Sequence, residues 1–487
     1  MINLRAILRV LAALLAIISV FIIFPIATAL TYNEADAFFA FLITLFVFAG
    51  SAALIRLCVG KRRDDEIMST KSGLIFVSIS WLVISVMGAL PFMLAGQVGF
   101  IDAFFETASG FTTTGATIYS NIEILPKAVL LWRGMTNWLG GMGIVVLTVA
   151  LMPFLSIGGV RLVKAEAPGH DPAHLSFHMT RTAKYLWFIY LSLTLIQFGL
   201  LIAFGMPVFE AACYSLATLS TGGLAPRTDS VASYSTAIQL IITIFMFLGG
   251  VNFSLYFWLL KGHSKTFLID TEFKAYTLVF FALSLGSALV LWMNNTYSSF
   301  LHALHYSSFQ IASILTTTGF VITNYELWPS LCIALIFIAM ACGGCIGSTS
   351  GGIKISRIVA LTKQTIADLK ASIYPNGFFR ARMNGHFISN PFLAHISGFV
   401  ACYLIILFIL TIIVSSANIP LMDSLATSLS ALGNIGPGLG VTGPAADYSK
   451  LPAYLKIVLG VAMIVGRLEI FTVLAIFLPI FWRKWGD

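Results

Sequence analysis

Charge is scarce in this sequence: Asp, Glu, Lys and Arg make up only 10% of its 487 residues, whereas 58% are hydrophobic. A soluble domain carries about 25% charged residues, so a water-exposed globular chain is excluded and a polytopic membrane protein is indicated. Cysteine is sparse as well. The six, Cys58, Cys213, Cys332, Cys342, Cys345 and Cys402, lie in or beside apolar segments and suggest no disulfide framework. No nucleophile and base pairing, no paired catalytic carboxylates and no dinucleotide fingerprint is present, so the chain does not read as an enzyme. The net charge is +8, but no basic stripe interleaved with aromatics speaks for nucleic acid. The cations sit instead in loops between apolar runs, as expected where a lipid bilayer sorts positive loops to one side.

What the sequence does contain is apolar runs. About 20 apolar residues cross a bilayer, and by that measure there are ten spans, near 6–31, 37–58, 73–96, 128–153, 185–205, 235–260, 275–294, 329–352, 393–416 and 453–481. The first, preceded by Arg5 and Arg9, is longer than the apolar core of a signal peptide and reads as a transmembrane helix. Lys61, Arg62 and Arg63, Arg161 to Lys184, Lys261 to Lys274, Lys354 to Arg382, and Arg483 with Lys484 fall on one side. That side is expected to be cytoplasmic and to carry both termini.

On the opposite side, four connecting segments are too apolar for ordinary loops. They are DAFFETASGFTTTGAT from Asp102, EAACYSLATLSTGGLA from Glu210, YSSFQIASILTTTGFV from Tyr306 and DSLATSLSALGNIGPG from Asp423. Aligned without gaps, they bring Gly115, Gly223, Gly319 and Gly436 into one column. Thr113 and Thr114, Thr221 and Gly222, Thr317 and Thr318, and Asn434 and Ile435 precede those glycines. The helices that follow also repeat, as LGGMGI, LGGVNF, CGGCIG and VGRLEI. The expected fold is therefore all-α: two N-terminal helices, residues 1–70, then four pseudo-fourfold helix, pore-loop and helix units around a central pore. Those units are 71–160, 161–262, 263–372 and 373–487.

Four half-helices converging on one axis would aim the negative ends of their dipoles at a central point, which favours a cation. The TTTG-like segments could then present rings of carbonyls in place of a hydration shell, with glycine supplying backbone angles that a Cβ resists. Asp102, Glu210 and Asp423 read as N-caps of the half-helices. Glu106 is alone in its column and has no assigned role.

In the third unit, ACGGCIGSTSGGIK from Ala341 to Lys354 lacks the GK[ST] of a phosphate loop and reads as a broken helix. Gly343, Gly344, Gly347, Ser348, Thr349, Ser350, Gly351, Gly352 and Lys354 form a candidate gate below the filter; a close-packed kink is the other reading. Cys342 and Cys345 form a CxxC pair there, read as small-residue packing. His170, His174 and His178 recur at helical spacing, but Pro172 breaks the register and a solvated cytoplasmic loop is the reading. In the last unit Arg467 takes the column of Gly141, Gly250 and Gly344, and a charge at such depth faces a bundle interior or a watery path. Two readings stand: Arg467 closes the path with the Gly-rich loop, or it pairs with Glu469 or another neighbour to brace the bundle.

The four segments TTTGAT, STGGLA, TTTGFV and GNIGPG resemble the single-glycine filters of the Trk/Ktr/HKT superfamily of potassium transporters. The two extra N-terminal spans, GGCIGSTSGGIK and GRLEIF resemble its TrkH/TrkG branch. The resemblance implies K+ as the transported ion, a homodimer in the bacterial inner membrane, and a cytosolic TrkA-type ring binding NAD(H) and adenine nucleotides. Control by nucleotides would then come from that partner, since this chain has no nucleotide fold and no organic cofactor of its own. It also implies a filter of Thr113, Thr114, Gly115, Thr221, Gly222, Gly223, Thr317, Thr318, Gly319, Asn434, Ile435 and Gly436. Glycine at 115, where sodium-permeable plant relatives have serine, argues for potassium. Either Gly222 or Gly223 could be the second filter glycine; the spacing from Glu210 favours Gly223. An alternative is the membrane subunit of an ATP-driven pump, similar to KdpA.

Overall fold

Backbone in hydrocarbon has no water to bond, so apolar runs of this length must close their hydrogen bonds internally, as helices do. The computed structural model, which describes residues 2–60, 69–151 and 172–483, is accordingly almost wholly helical. Among the described residues six helices are long and apolar enough to cross a membrane, or eight if two sharply bent pairs each count as one span. The N-terminal pair is Leu4–Thr31 and Ala35–Val59. The only sheet among the described residues is a two-stranded ladder, Arg382–Met383 with His386–Phe387, turned by Asn384 and Gly385 at φ 48° and 82°. That positive-φ pair suits a two-residue hairpin turn.

Three of the expected spans are interrupted, two where no break was expected and the third at the Gly-rich run read as a broken helix. The run 235–260 is two helices, Thr236–Gly249 and Phe253–Leu260, bent by 93°, and Asn252 caps the second by accepting from Ser254 N at 2.9 Å. The run 453–481 breaks after Arg467: Ala453–Arg467 and Phe471–Phe477 lie at 110°, with Glu469 and Ile470 at φ 58° and 40°. In the third, helix Ser330–Ala341 ends after 12 residues. Cys342 to Lys354 are non-helical, and helix Ile355–Ile373 resumes the chain. The helix expected from 185 begins at Pro172. His174 and His178 therefore lie on its first turns rather than in a loop, and His170 lies outside the described residues.

Four short helices fill the space between the long ones: Phe100–Phe111, Val208–Leu219, Phe300–Leu315 and Leu421–Gly433. A 12-residue helix is about 18 Å long, too short for a hydrocarbon core of about 30 Å. They are buried on nearly all sides towards their C-terminal ends, as in Ala103 to Phe111 and Ser424 to Gly433. Such a helix belongs inside a bundle.

Candidate functional site

All four short helices stop alike. The residue two before the shared glycine is left-handed: Thr113 at φ 54°, Thr221 at 52°, Thr317 at 57° and Asn434 at 55°. The next N–H folds back onto the helix. Thr114 N donates to Ser109 O, Gly222 N to Ala217 O and Thr318 N to Ser313 O, each at 2.8 Å, and Ile435 N donates to Ser430 O at 2.9 Å. This is a Schellman-type stop in which threonine three times takes the place where glycine is usual. A β-branched residue at positive φ is an outlier costing on the order of 1–3 kcal/mol. That strain, stored at equivalent places in three of the four segments, marks the site, and the fourth has Asn434, which tolerates the left-handed region.

Gly115, Gly223, Gly319 and Gly436 follow, all at positive φ between 73° and 102°. They close a ring. A Cβ on Gly115 would lie 2.5 Å from Gly222 O, one on Gly223 would strike Thr318 O, one on Gly319 would strike Ile435 O, and one on Gly436 would lie 2.6 Å from Thr114 O. Each glycine thus abuts the residue just before the next glycine, around all four segments. Gly222 stands where Thr114, Thr318 and Ile435 stand, and Gly223 shares the conformation of the other three glycines.

Beyond the ring, the outer segments are stitched in the same cyclic order. Thr228 N donates to Glu123 Oε1 at 2.8 Å, Val231 N to Val321 O at 3.2 Å, Tyr325 OH to Gly438 O at 2.8 Å and Tyr448 N to Thr117 O at 2.9 Å. They border a half-open chamber of about 100 Å³ lined by the four glycines, Arg133 and Tyr448 among others. The C-terminal ends of all four short helices adjoin the ring, so their dipoles place partial negative charge beside it. Small, strained and rich in carbonyls, the ring is suited to a bare cation.

On the other side of the ring, the Gly-rich loop lies against three of the four segments. Gly351 N donates to Thr317 Oγ1 at 2.7 Å, and Thr349 Oγ1 donates to Leu219 O at 3.0 Å. A Cβ on Gly351 would strike Gly433 O. The loop is held along its length. Cys345 N donates to Gly250 O at 2.8 Å, Phe253 N to Gly347 O at 3.1 Å, Gly343 N to Ile353 O at 2.7 Å and Ile355 N to Gly344 O at 3.2 Å. Ser348 Oγ donates to Cys345 O at 2.6 Å, and the buried Lys354 ammonium donates to Ser350 O. Gly352, at φ 66°, lets the chain return alongside Gly343.

Arg467 is 3% exposed, and its Nη1 donates to Thr349 O in that loop at 2.7 Å. Its Nε and Nη2 have no hydrogen-bond partner among the described residues. Glu469 pairs elsewhere, with Arg357 at 2.5 Å. The pairing of Arg467 with Glu469 is therefore not made: the reversed backbone at Glu469 turns the two side chains apart, and the arginine meets the loop.

The acids expected to cap the short helices do not do so. The N-caps are Gly99, Pro207 and Pro420, and Asp102, Glu210 and Asp423 lie in the first turn. There Asp102 pairs with Lys456 at 2.6 Å, and Glu210 accepts from Tyr234 OH. Glu106, left without a role, is fully buried and pairs with Arg133 at 2.8 Å. The signal for this pair was present: two opposite charges stand inside buried apolar helices, the same argument that singled out Arg467.

Comparison with known proteins decides the family. The family model for TrkH, described as a cation transport protein, matches residues 34–483. The chain belongs to the TrkH family. It is 36% identical to the Trk system potassium uptake protein TrkH of Escherichia coli over 99% of both chains, and 35% identical to that of Halomonas elongata over 99% of this chain and 100% of the other. The E. coli relative TrkG is 30% identical, over 94% and 95% of the two chains. The crystal structure of the potassium transporter TrkH from Vibrio parahaemolyticus superposes with a TM-score of 0.91 at 34% identity, covering 99% of this chain and 100% of that one.

Proposed function

We propose that the protein is a potassium-selective uptake protein that passes K+ down its electrochemical gradient through the ring of Gly115, Gly223, Gly319 and Gly436. Carbonyls of Thr113, Thr114, Thr221, Gly222, Thr317, Thr318, Asn434 and Ile435 line the ring and replace water around the ion. The observation that carries this reading is the closed cycle of contacts in which each glycine abuts the residue just before the next glycine. The names of the TrkH relatives, as Trk system potassium uptake proteins, support the choice of ion.

The gate is the loop Gly343 to Gly352 with Lys354, held across the path by Arg467 and kept company by the Arg357–Glu469 pair. Support comes from the loop's contacts with three of the four segments and from the Arg467 bond to Thr349. In this reading the four pore units are 71–160, 161–262, 263–372 and 373–487 behind the N-terminal pair 1–70, ten spans in all. Both termini face the cytoplasm, the protomer works as a homodimer in the inner membrane, and a TrkA-type nucleotide-binding ring moves the loop. The pump-subunit alternative has no comparable support, because the relatives matched over nearly their whole length are uptake proteins.

Purified protein in liposomes tests the proposal through rubidium flux under an imposed potassium gradient, with and without a partner ring. Flux with no ATPase subunit present supports uptake and rules out the pump reading. No flux of either ion under both conditions refutes the proposal.

A further inference from the structure

The first two segments of the ring are held differently from the last two. In the third, Ser313 Oγ donates to Phe320 O at 2.6 Å; in the fourth, Ser430 Oγ and Tyr448 OH donate to Gly436 O at 2.7 and 2.8 Å. Hydroxyls thus pin the carbonyls where these two segments leave the ring on its outer side. The column of Ser313 and Ser430 contains Ser109 and Ala217 in the other two units, six residues before their glycines. Ser109 Oγ has no hydrogen-bond partner among the described residues, and alanine has none to give.

Glu106 and Arg133 occupy that part of the structure instead, 0% and 1% exposed. Arg133 Nε meets Glu106 Oε1 at 2.8 Å, Nη1 donates to Ala225 O at 2.8 Å and Nη2 to Thr117 Oγ1 at 3.1 Å. Glu106 accepts in turn from Thr117 Oγ1 at 3.1 Å and from Ile118 N at 3.0 Å. Thr117 and Ala225 stand at matching positions, two residues beyond Gly115 and Gly223. One ion pair therefore joins the first short helix, the exit of the first segment, the exit of the second segment and the helix Lys127–Leu151. Only the planar fork of arginine reaches three acceptors in different directions at once. Because the carboxylate neutralises it, the guanidinium can line the outer chamber without repelling a cation.

We propose that Glu106 and Arg133 are positioning residues that fix the spacing between the first and second ring segments, and so set which alkali cation the ring prefers. The proposal rests on the reading that the glycine ring selects the ion. Potassium, rubidium and sodium fluxes measured in liposomes with Glu106→Gln, Arg133→Lys, Thr117→Val and the double variant Glu106→Gln/Arg133→Met test it. Glu106→Gln leaves a bare guanidinium beside the path, so all fluxes should fall severalfold and the sodium-to-potassium ratio should rise. The double variant removes both charges. Its potassium flux should recover towards that of the unaltered protein while its ion ratio stays shifted, which a merely structural role would not produce.

Thr117→Val deletes the bonds of its hydroxyl to Arg133 and Glu106 and leaves the ion pair itself in place, so no charge is stranded. It keeps the test decisive if the charge variants fail to fold, and a shifted ratio is again expected. Unchanged ion ratios in every variant that elutes as a single species overturn the proposal alone. An unaltered protein that conducts with no preference among the ions overturns it together with the ring reading.

Discussion

The backbone N–H of Gly351 donates to the hydroxyl of Thr317 at 2.7 Å, so the loop beneath the glycine ring is bonded to a residue of the ring's own third segment. Thr317 is itself held at φ 57°, and its hydroxyl is buried. Thr317→Val keeps the shape and deletes the acceptor. A buried N–H left unpaired costs about 1–3 kcal/mol, and the cost falls only on the arrangement in which loop and ring touch. A cost of 1–2 kcal/mol moves an equilibrium by a factor of roughly 5–30. Rubidium uptake without any partner should therefore rise, and an unchanged rate in the purified variant would contradict a gating role for this contact.

Arg467 contacts the same loop from another side, through one charge-assisted bond to Thr349 O at 2.7 Å. Such bonds contribute about 1.5–3 kcal/mol, so Arg467→Ala should raise flux in the partner-free protein by about tenfold or more. Arg467→Lys separates charge from contact. If the positive charge alone bars cations, lysine keeps flux low; if the reach to Thr349 matters, flux rises with lysine as well. Reduced or unchanged flux in a well-folded Arg467→Ala protein sinks the gate.

Much of this site was legible because it is repeated. Four glycines in register predicted four equivalent turns, and a Gly- and Ser-rich run predicted the break that begins at Cys342. The cap assignment failed for a local reason. The chain enters the short helices at Gly99, Pro207 and Pro420, whose φ and ψ already suit a helix start, so the acids fall one turn further in and reach sideways to partners such as Lys456. The partner of Arg467 was illegible for a different reason. Thr349 is 118 residues away in sequence, and the bond goes to a carbonyl that every residue carries, so no residue type advertises it. Glu106 showed only as an acid alone in its column, and Arg133 did not stand out at all until the fold placed the two side by side.

Substitution in the ring should depend on which neighbour is met. A side chain on Gly115 is opposed by Gly222 O at 2.5 Å, whereas one on Gly223 runs directly into Thr318 O. Both positions also carry the left-handed penalty of about 1–2 kcal/mol for a residue with a Cβ. Gly115→Ser is therefore expected to fold with a widened first-to-second contact and a raised sodium-to-potassium flux ratio. Gly223→Ser should yield less folded protein, read as a lower monodisperse fraction in size-exclusion chromatography. Equal yields together with an unchanged ion ratio at Gly115→Ser would contradict the contact order around the ring.

Glu272 offers a test of the loop that does not depend on flux. Its Oε1 accepts from Ile346 N at 2.7 Å and from Ser356 N at 3.2 Å, so one carboxylate at the start of helix Thr271–Met293 holds the loop near both ends. Glu272 is 7% exposed, so the two amides have little water to turn to if its oxygen is removed. Glu272→Ala releases two amides at once. Amide hydrogen exchange reports such local opening directly, and exchange at residues 343–356 should accelerate while the short helix Phe300–Leu315 keeps its protection. Glu272→Gln retains an acceptor oxygen and should fall between the two. If the loop amides exchange at the same rate in all three proteins, the loop is held by its glycine packing against the ring, and Glu272 is not what fixes its ends.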